Sequence, residues 1–280
     1  MIKSYCKINL SLRILKKLKS GLHDIQSNVL LLDLHDSIKI TKIKKNKDLI
    51  IFKGKFKKFV NRNNNSVSDS LKILRKNKLI DLRKKYKILI KKNIPAFAGL
   101  GGGSSNAAFV IKHLIKKKFN RRIIKIFESK IGSDLSLFNN KQTYLKNLIT
   151  PIKYKRHFNF YFVLVYPAIK SSTRKAYSKV KKYQTRSKIN FSNIKSKNHL
   201  IQLIKNHEIN ALQEIVISKF IIIKKILDFI SQQEGCHFSR ITGSGSVCFG
   251  IFKSQKTAIS GMKTIKKKFP KYWCVVAKTI

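Results

Sequence analysis

The chemistry this sequence can offer is concentrated in eleven residues near the middle of the chain, Pro95-Ala96-Phe97-Ala98-Gly99-Leu100-Gly101-Gly102-Gly103-Ser104-Ser105. Four of the twelve glycines fall within five residues there. Glycine lets the backbone reach positive φ and approach a ligand closely, and the free N–H groups of a following helix point at whatever sits before it. Such a loop suits a phosphate. The run does not read GxxxxGK[ST], because Asn106 follows the serines, and it does not read GxGxxG, because position 104 is serine. A Walker-type NTPase and a Rossmann dinucleotide site are both disfavoured. On this stretch alone, a flexible turn opening an ordinary helix remains the alternative.

Other groups stand out by their surroundings. Thr242-Gly243-Ser244-Gly245-Ser246 is a second glycine cluster, which in isolation reads as a turn. Only twelve carboxylates occur, and most sit in polar turns or on lysine-flanked helix faces as solvated charges. Asp134 differs, because it follows Gly132-Ser133 and precedes the apolar Leu135 and Phe138, a setting that can hold a carboxylate partly out of water. By itself it also reads as a helix N-cap. Lys7 lies on an alternating stretch with Asn9 on the same face, which sets it apart from the many surface lysines. The four cysteines show no CxxC and no ligand spacing with the seven histidines, so neither zinc nor a disulfide framework is indicated and a reducing cytoplasm is expected.

These groups need elements to hold them. Residues 7–12 alternate apolar and polar as in a half-buried strand, and a hinge at Gly21 follows. Residues 29–34 and 37–43 read as two further strands, 44–48 as a polar turn, 61–70 as a polar loop, and a helix begins within 67–74. A β-like run at 88–90 leads into the glycine segment. The helix after it rests on Ala107, Ile111, Leu114 and Ile115, with Lys112, His113 and residues 116–118 outward or at its C-terminal end. Residues 161–166 (YFVLVY) form a buried strand stopped by Pro167. The tail offers a helix over 211–231, with Val216, Phe220, Ile223, Leu227 and Ile230 on one face, a strand over 247–252, a helix over 256–269 and a last strand over 273–277. Strands and helices mix without strict alternation, which predicts an α+β fold, with a division near Thr150-Pro151.

Residues 95–108 (PAFAGLGGGSSNAA) resemble the phosphate-binding motif of the GHMP kinase superfamily, the group of galactokinase, homoserine kinase, mevalonate kinase and phosphomevalonate kinase. Tyr5-Cys6-Lys7-Ile8-Asn9-Leu10 and Thr242-Gly243-Ser244-Gly245-Ser246 resemble its two companion motifs, in the same order along nearly the whole chain. Within the superfamily, Gly21-Leu22-His23-Asp24-Ile25-Gln26-Ser27, Leu32-Asp33-Leu34-His35-Asp36-Ser37-Ile38 and Ile131-Gly132-Ser133-Asp134-Leu135-Ser136-Leu137-Phe138 are similar to stretches of the 4-diphosphocytidyl-2-C-methyl-D-erythritol kinase family.

The resemblance implies a two-domain GHMP kinase fold, with an N-terminal ATP-binding domain over 1–150 and a C-terminal ferredoxin-like domain over 151–280. It implies transfer of a phosphoryl group from ATP to the 2-hydroxyl of the cytidylyl alcohol, in non-mevalonate isoprenoid synthesis. Asp134 becomes the general base and Lys7 its partner, orienting the hydroxyl and favouring its deprotonated form. Residues Pro95 to Ser105 wrap the phosphates of ATP, with magnesium shared between those phosphates and Ser105. Asn9, His23, Thr173 and Tyr177 match positions that hold the cytidine diphosphate end, His23 by hydrogen bonds to the base and Tyr177 by stacking. Several residues depart from the family pattern. Leu22 replaces a tyrosine that stacks on cytosine, Phe97 stands where a small residue is usual, Ser136 replaces a proline, and the stretch 119–127 is short. These departures predict weaker binding rather than lost chemistry.

The bulk composition points elsewhere at first. Sixty-two Lys and Arg stand against twelve Asp and Glu, a formal net charge of +50, which suggests a polyanion partner. Yet 43% of residues are hydrophobic, too many for a disordered polycation, and the lysines run from Lys3 to Lys278 without a basic block. Abundant Ile, Asn and Lys with few Gly and Pro look like A/T-rich codon usage, so no specific nucleic-acid partner is expected. The greasiest stretch, 215–230, is cut by Lys219, Lys224 and Lys225 and is too short to span a bilayer. The acid-poor start resembles a transit peptide, but the lysine motif already begins at residue 5. A cytoplasmic enzyme, monomeric or homodimeric and acting on a small cytidine diphosphate substrate, is the expectation. Another GHMP kinase, acting on homoserine or mevalonate, and a basic RNA-binding protein on a decayed kinase fold are the rivals.

Overall fold

The computed structural model describes residues 1–61, 63–116 and 120–280. Its strands are β1 (Ile2–Lys17), β2 (His23–Ile43), β3 (Leu49–Lys53), β4 (Lys85–Lys91), β5 (Gln142–Leu145), β6 (Pro151–Lys153), β7 (Tyr161–Tyr166), β8 (Cys236–Ile241), β9 (Cys248–Phe252) and β10 (Trp273–Lys278). Its helices are α1 (Ser66–Lys76), α2 (Gly102–Ile115), α3 (Arg121–Ile131), α4 (Thr173–Tyr177), α5 (Lys197–His207), α6 (Gln213–Lys219), α7 (Ile222–Ser231) and α8 (Gln255–Lys268). The chain forms two compact units that are discontinuous in sequence. The first is Met1–Cys6, Leu34–Ala96 and Gly101–Asn139, and the second is Lys7–Asp33, Phe97–Leu100 and Asn140–Ile280.

In the first unit, the C-terminal half of β2 pairs antiparallel with β4 (Ile38 opposite Ile90, Ile40 opposite Ile88), and β3 runs parallel beside β4. Alternation decides which face is covered: Ile38, Ile88 and Ile90 are buried, while Lys39 and Lys87 face out. Helix α1 starts where Asn65 accepts from the Val67 and Ser68 backbones while the Ser68 hydroxyl accepts from the Asn65 N–H, a reciprocal cap. It packs on α2, whose Ala107, Ala108, Val110 and Ile111 are small enough for a close approach. Each large side chain buried this way contributes about 1.5–3 kcal/mol.

In the second unit, the first half of β2 pairs with β5, and β5 with β6, all antiparallel. A separate antiparallel sheet has the strand order β10-β7-β9-β8. Read along the chain as β7, α7, β8, β9, α8, β10, this is the ferredoxin-like arrangement. Strand β7 sits between two neighbours, with five of its six residues buried, which is why YFVLVY lacks alternation. Ile223, Ile226, Leu227 and Ile230 of α7 and Ala258 and Ile265 of α8 close one core with Val163, Val165 and Phe252.

The α+β class holds, and four local expectations change. Residues 29–34 and 37–43 belong to one 21-residue strand, β2. The helix expected over 211–231 breaks at Phe220 (φ −137°, ψ 79°) into α6 and α7. The break lets Val216 and Ile223 reach the same core. Residues 7–12 are not half-buried, because Lys7, Asn9 and Ser11 are covered as fully as Ile8 and Leu10. Lys112 turns inward rather than outward, as described below. Lys117, Lys118 and Phe119 lie outside the described residues.

Candidate active site

Strand β1 holds Lys7 and Asn9 on one face, and both are buried in the second unit. The Lys7 Nζ donates to Asn9 Oδ1 at 2.5 Å, and the Asn9 amide donates to Ser27 Oγ at 2.8 Å. The Asn9 N–H donates to Thr242 Oγ1 at 3.0 Å, and the Thr242 hydroxyl donates to the Gly99 carbonyl at 3.3 Å. Residues of all three glycine and lysine motifs therefore meet in one hydrogen-bonded cluster. Gly243 is tight against it: a Cβ there would stand 3.3 Å from Asn9 Oδ1 and 3.4 Å from Lys7 Nζ.

The stretch 97–100 is pinned from several sides. The Lys7 N–H donates to Leu100 O at 3.0 Å, Val247 N–H to Ala98 O at 3.2 Å, and Ser171 N–H to Phe97 O at 3.3 Å. Ala98 and Leu100 are buried, whereas Phe97 is 56% exposed and carries φ +56°, a left-handed conformation unusual for a bulky residue.

In the first unit, Gly101 precedes α2 in the left-handed conformation (φ +68°), and no side chain caps the helix. The first N–H groups of α2 are thus not taken by a cap, the feature that suits an anion. Pro95 is buried and Ala96 half-buried, Gly102 is buried, and Gly103 is exposed above Ser66. Ser104 is half-buried. Ser105 is fully buried, its Oγ donating to Tyr5 O at 2.6 Å and lying 2.7 Å from Ser4 Oγ. Those two bonds use its hydrogen and one of its two lone pairs, which leaves one lone pair for a metal ion.

Asp134 opens the 3-10 turn Ser133–Asn139, half-buried, after Gly132 at φ +130°. Leu135 and Phe138 behind it are buried, as their apolar character predicts. The turn is tied to α2 by Lys112, whose Nζ donates to Phe138 O at 2.5 Å and lies 5.3 Å from the Phe109 ring centre. Burial lowers the Lys112 pKa to about 8.

A third group lies in the second unit. The His23 ring is 5.1 Å from Tyr177 and 6.4 Å from Tyr183, tilted by 38° and 40°. Burial, and then the nearby Lys17 charge, lower the His23 pKa, so the imidazole is neutral at neutral pH. Thr173, at the start of α4, shares a 2.9 Å hydrogen bond with Ser244, whose carbonyl accepts from Ser171 at 2.6 Å. Asn9, His23, Thr173 and Tyr177 thus lie in one unit, as does Lys7, while Asp134 and residues 101–105 lie in the other.

Comparison with known proteins decides the family. GHMP kinases N terminal domain matches residues 65–129 and GHMP kinases C terminal matches 191–271. A 4-diphosphocytidyl-2-C-methyl-D-erythritol kinase of Pelagibacter ubique (strain HTCC1062) is 36% identical over 283 residues, spanning 100% of this chain and 98% of the relative. The chain belongs to the 4-diphosphocytidyl-2-C-methyl-D-erythritol kinase family. A second member, from the Wolbachia of Brugia malayi (strain TRS), is 31% identical over the full length of both chains. In fold, the chain is similar to a crystal structure of 4-(cytidine 5'-diphospho)-2C-methyl-D-erythritol kinase (TM-score 0.71, 18% identity, 99% and 98% of the two chains). It is also similar to a mevalonate kinase (TM-score 0.66, 15% identity, 99% and 98%).

Sequence reasoning toward this kinase family passed over three residues. Asp36 carries no role in the sequence motifs, yet it is completely buried. The available signal is Leu34 and Ile38, two positions to either side and on the same strand face. Lys112 is expected outward or at the C-terminal end of its helix, and the i, i+3, i+4 rule gives no hint that a lysine reaches a carbonyl in a neighbouring turn. Tyr183 lies in a segment without periodicity, and nothing local marks it as a neighbour of His23.

Proposed function

We propose that this chain transfers the γ-phosphoryl group of ATP to the 2-hydroxyl of 4-diphosphocytidyl-2-C-methyl-D-erythritol, a step of non-mevalonate isoprenoid synthesis. The observation that carries the reading is the 36% identity to a kinase of that name over both full lengths. Rivals acting on homoserine or mevalonate are less supported, since the full-length relatives named above carry the cytidylyl name.

Phosphoryl transfer to an alcohol needs an aligned hydroxyl, an acceptor for its proton, and dipoles or cations on the phosphates. In our reading, Asp134 takes the proton of the 2-hydroxyl as the oxygen attacks the γ-phosphorus, and ADP leaves with the bridging oxygen. The Lys7 ammonium, held by Asn9, orients that hydroxyl and favours its charged form. Residues 95–105 receive the phosphates, on the uncapped N–H groups at the start of α2. ATP brings magnesium on its own phosphates. Beyond its bonds to Tyr5 and Ser4 the Ser105 hydroxyl keeps one lone pair, with which it would hold that ion. His23 in its neutral form can both donate and accept toward the cytosine edge, and Tyr177 offers a ring face to the base. Thr173 and the second N–H of the Asn9 amide serve the diphosphate end. Described residues contain no helix long and apolar enough to cross a membrane.

The test is ADP release measured with the cytidylyl alcohol, homoserine and mevalonate in parallel. Turnover only with the first is expected. Asp134→Asn is expected to cut kcat at least 100-fold, the usual worth of a positioned base. Intact turnover in that variant refutes the assignment of Asp134.

A further inference from the structure

One buried carboxylate grips both ends of the glycine-rich segment. Asp36, near the middle of β2, has no exposed surface, and Lys92 beside it is 3% exposed. Its Oδ1 accepts the N–H of Asn93 at 2.7 Å and of Ile94 at 2.9 Å, the two residues that precede Pro95. Its Oδ2 accepts the side-chain amide of Asn106 at 3.0 Å, the residue that follows Ser105, and the Lys92 ammonium. The Asn93 amide adds a bond to the His35 carbonyl at 3.0 Å. Lys92 lies under the first turn of α2, where a Cβ on Gly102 would stand 3.4 Å from its Nζ. All of these residues belong to the first compact unit.

A carboxylate has room for about four hydrogen bonds, and here all four are made. The pattern fixes the points at which segment 95–105 leaves β4 and enters α2, so little of the loop's entropy is left to be lost when a ligand arrives. A lysine alone beneath a helix N-terminus is unfavourable to the helix dipole, and the carboxylate neutralises it. We propose that Asp36 is the positioning residue of the phosphate loop, closing its base through Asn93, Ile94 and Asn106 and setting the affinity for the nucleotide's phosphates. The proposal rests on the reading of 95–105 as the ATP loop.

Two variants test it. Asp36→Asn keeps the shape and one acceptor oxygen but turns an N–H toward Lys92 and the Asn106 amide. Asn106→Ala removes one neutral hydrogen bond and no charge, so it keeps the test open if the first variant folds poorly. The readouts are KM for ATP, KM for the cytidylyl alcohol, kcat, and amide hydrogen exchange over 93–106 without nucleotide. For Asn106→Ala we expect KM for ATP to rise roughly fivefold, the worth of one hydrogen bond, with kcat and the other KM within about twofold. A larger rise is expected for Asp36→Asn, and exchange over 93–106 quickens in both while β7 and β9 stay protected. Unchanged exchange in both variants overturns the clamp. Faster exchange with an unchanged KM for ATP overturns instead the reading of 95–105 as the phosphate loop.

Discussion

At Gly99 the backbone stands at φ +78°, and a Cβ would lie 2.0 Å from the Thr242 carbonyl oxygen, a clash no rotamer relieves. The same glycine's carbonyl accepts from the Thr242 hydroxyl, which in turn accepts from Asn9. Moving Gly99 by even a fraction of an ångström therefore disturbs the strand that presents Lys7. Gly99→Ala combines overpacking, typically about 1–3 kcal/mol, with a left-handed penalty of about 1–2 kcal/mol. The expected result is a fall in Tm of several degrees together with reduced turnover, read by thermal unfolding and ADP release on the same sample. Gly103→Ala is the control for the Tm readout alone, since its Cβ would meet only Ser66 Oγ, at 3.3 Å. At Leu22 the reasoning runs the other way. The side chain is 51% exposed and brings no ring, while Tyr183 supplies a second aromatic beside His23. In the proposed base site, the ring absent at position 22 is thus offset by aromatic surface from another segment.

Helix α2 links two pieces of the proposed chemistry, the N–H groups at its start and, through Lys112, the turn that carries Asp134. Burying Lys112 lowers its pKa from 10.5 to about 8, so the folded chain releases that proton well before the unfolded chain does. Between about pH 8 and 10.5 the unfolded state binds more protons at this site, and stability contributed here rises with pH across that window. Other lysines also discharge as pH rises, so the measurement is a difference: Tm of wild type minus that of Lys112→Met. That difference is expected to grow from pH 7 to pH 10, and a flat difference removes Lys112 from the account. Elements like α2 were legible in the sequence because Ala107, Ile111 and Ile115 keep helical spacing behind a glycine stop. Strand β7 was legible because it is buried on both faces. Helices α3 and α5 passed unread, since lysines and arginines cover their outer faces and their buried residues, Ile124 and Phe127 or Leu200, Ile201 and Ile204, are few. The break between α6 and α7 is set by the core both helices fill, which no local pattern encodes. In the proposed site, the glycine, lysine and aspartate motifs stand out in the sequence itself, whereas the Asp36 cluster joins residues 56 and 70 positions apart and exists only in the fold.

A formal charge of +50 acts on the whole chain rather than on any one contact. Its carboxylates are few, and several are placed where a cation is held in or near the interior: Asp36 on Lys92, Asp48 on Arg75, Glu208 on Arg13, Asp24 on Arg186. Most of the sixty-two basic side chains therefore face one another across solvent, and their repulsion favours expansion. The same field draws anionic nucleotides toward the protein and raises their encounter rate. Salt separates the two effects, because the screening length falls from about 10 Å at 0.1 M to about 3 Å at 1 M. Raising sodium chloride from 0.05 M to 0.5 M is expected to raise Tm, as self-repulsion fades, and to raise KM for ATP, as steering and phosphate attraction fade. A local origin for nucleotide affinity predicts a different pair: Tm rising with KM for ATP unchanged, since the buried Lys7 and the N–H groups of α2 are screened much less than exposed lysines. Opposite movements of stability and affinity along one salt series would place the charge excess among the determinants of catalysis, and would make the exposed lysines, rather than the loop alone, part of what captures ATP.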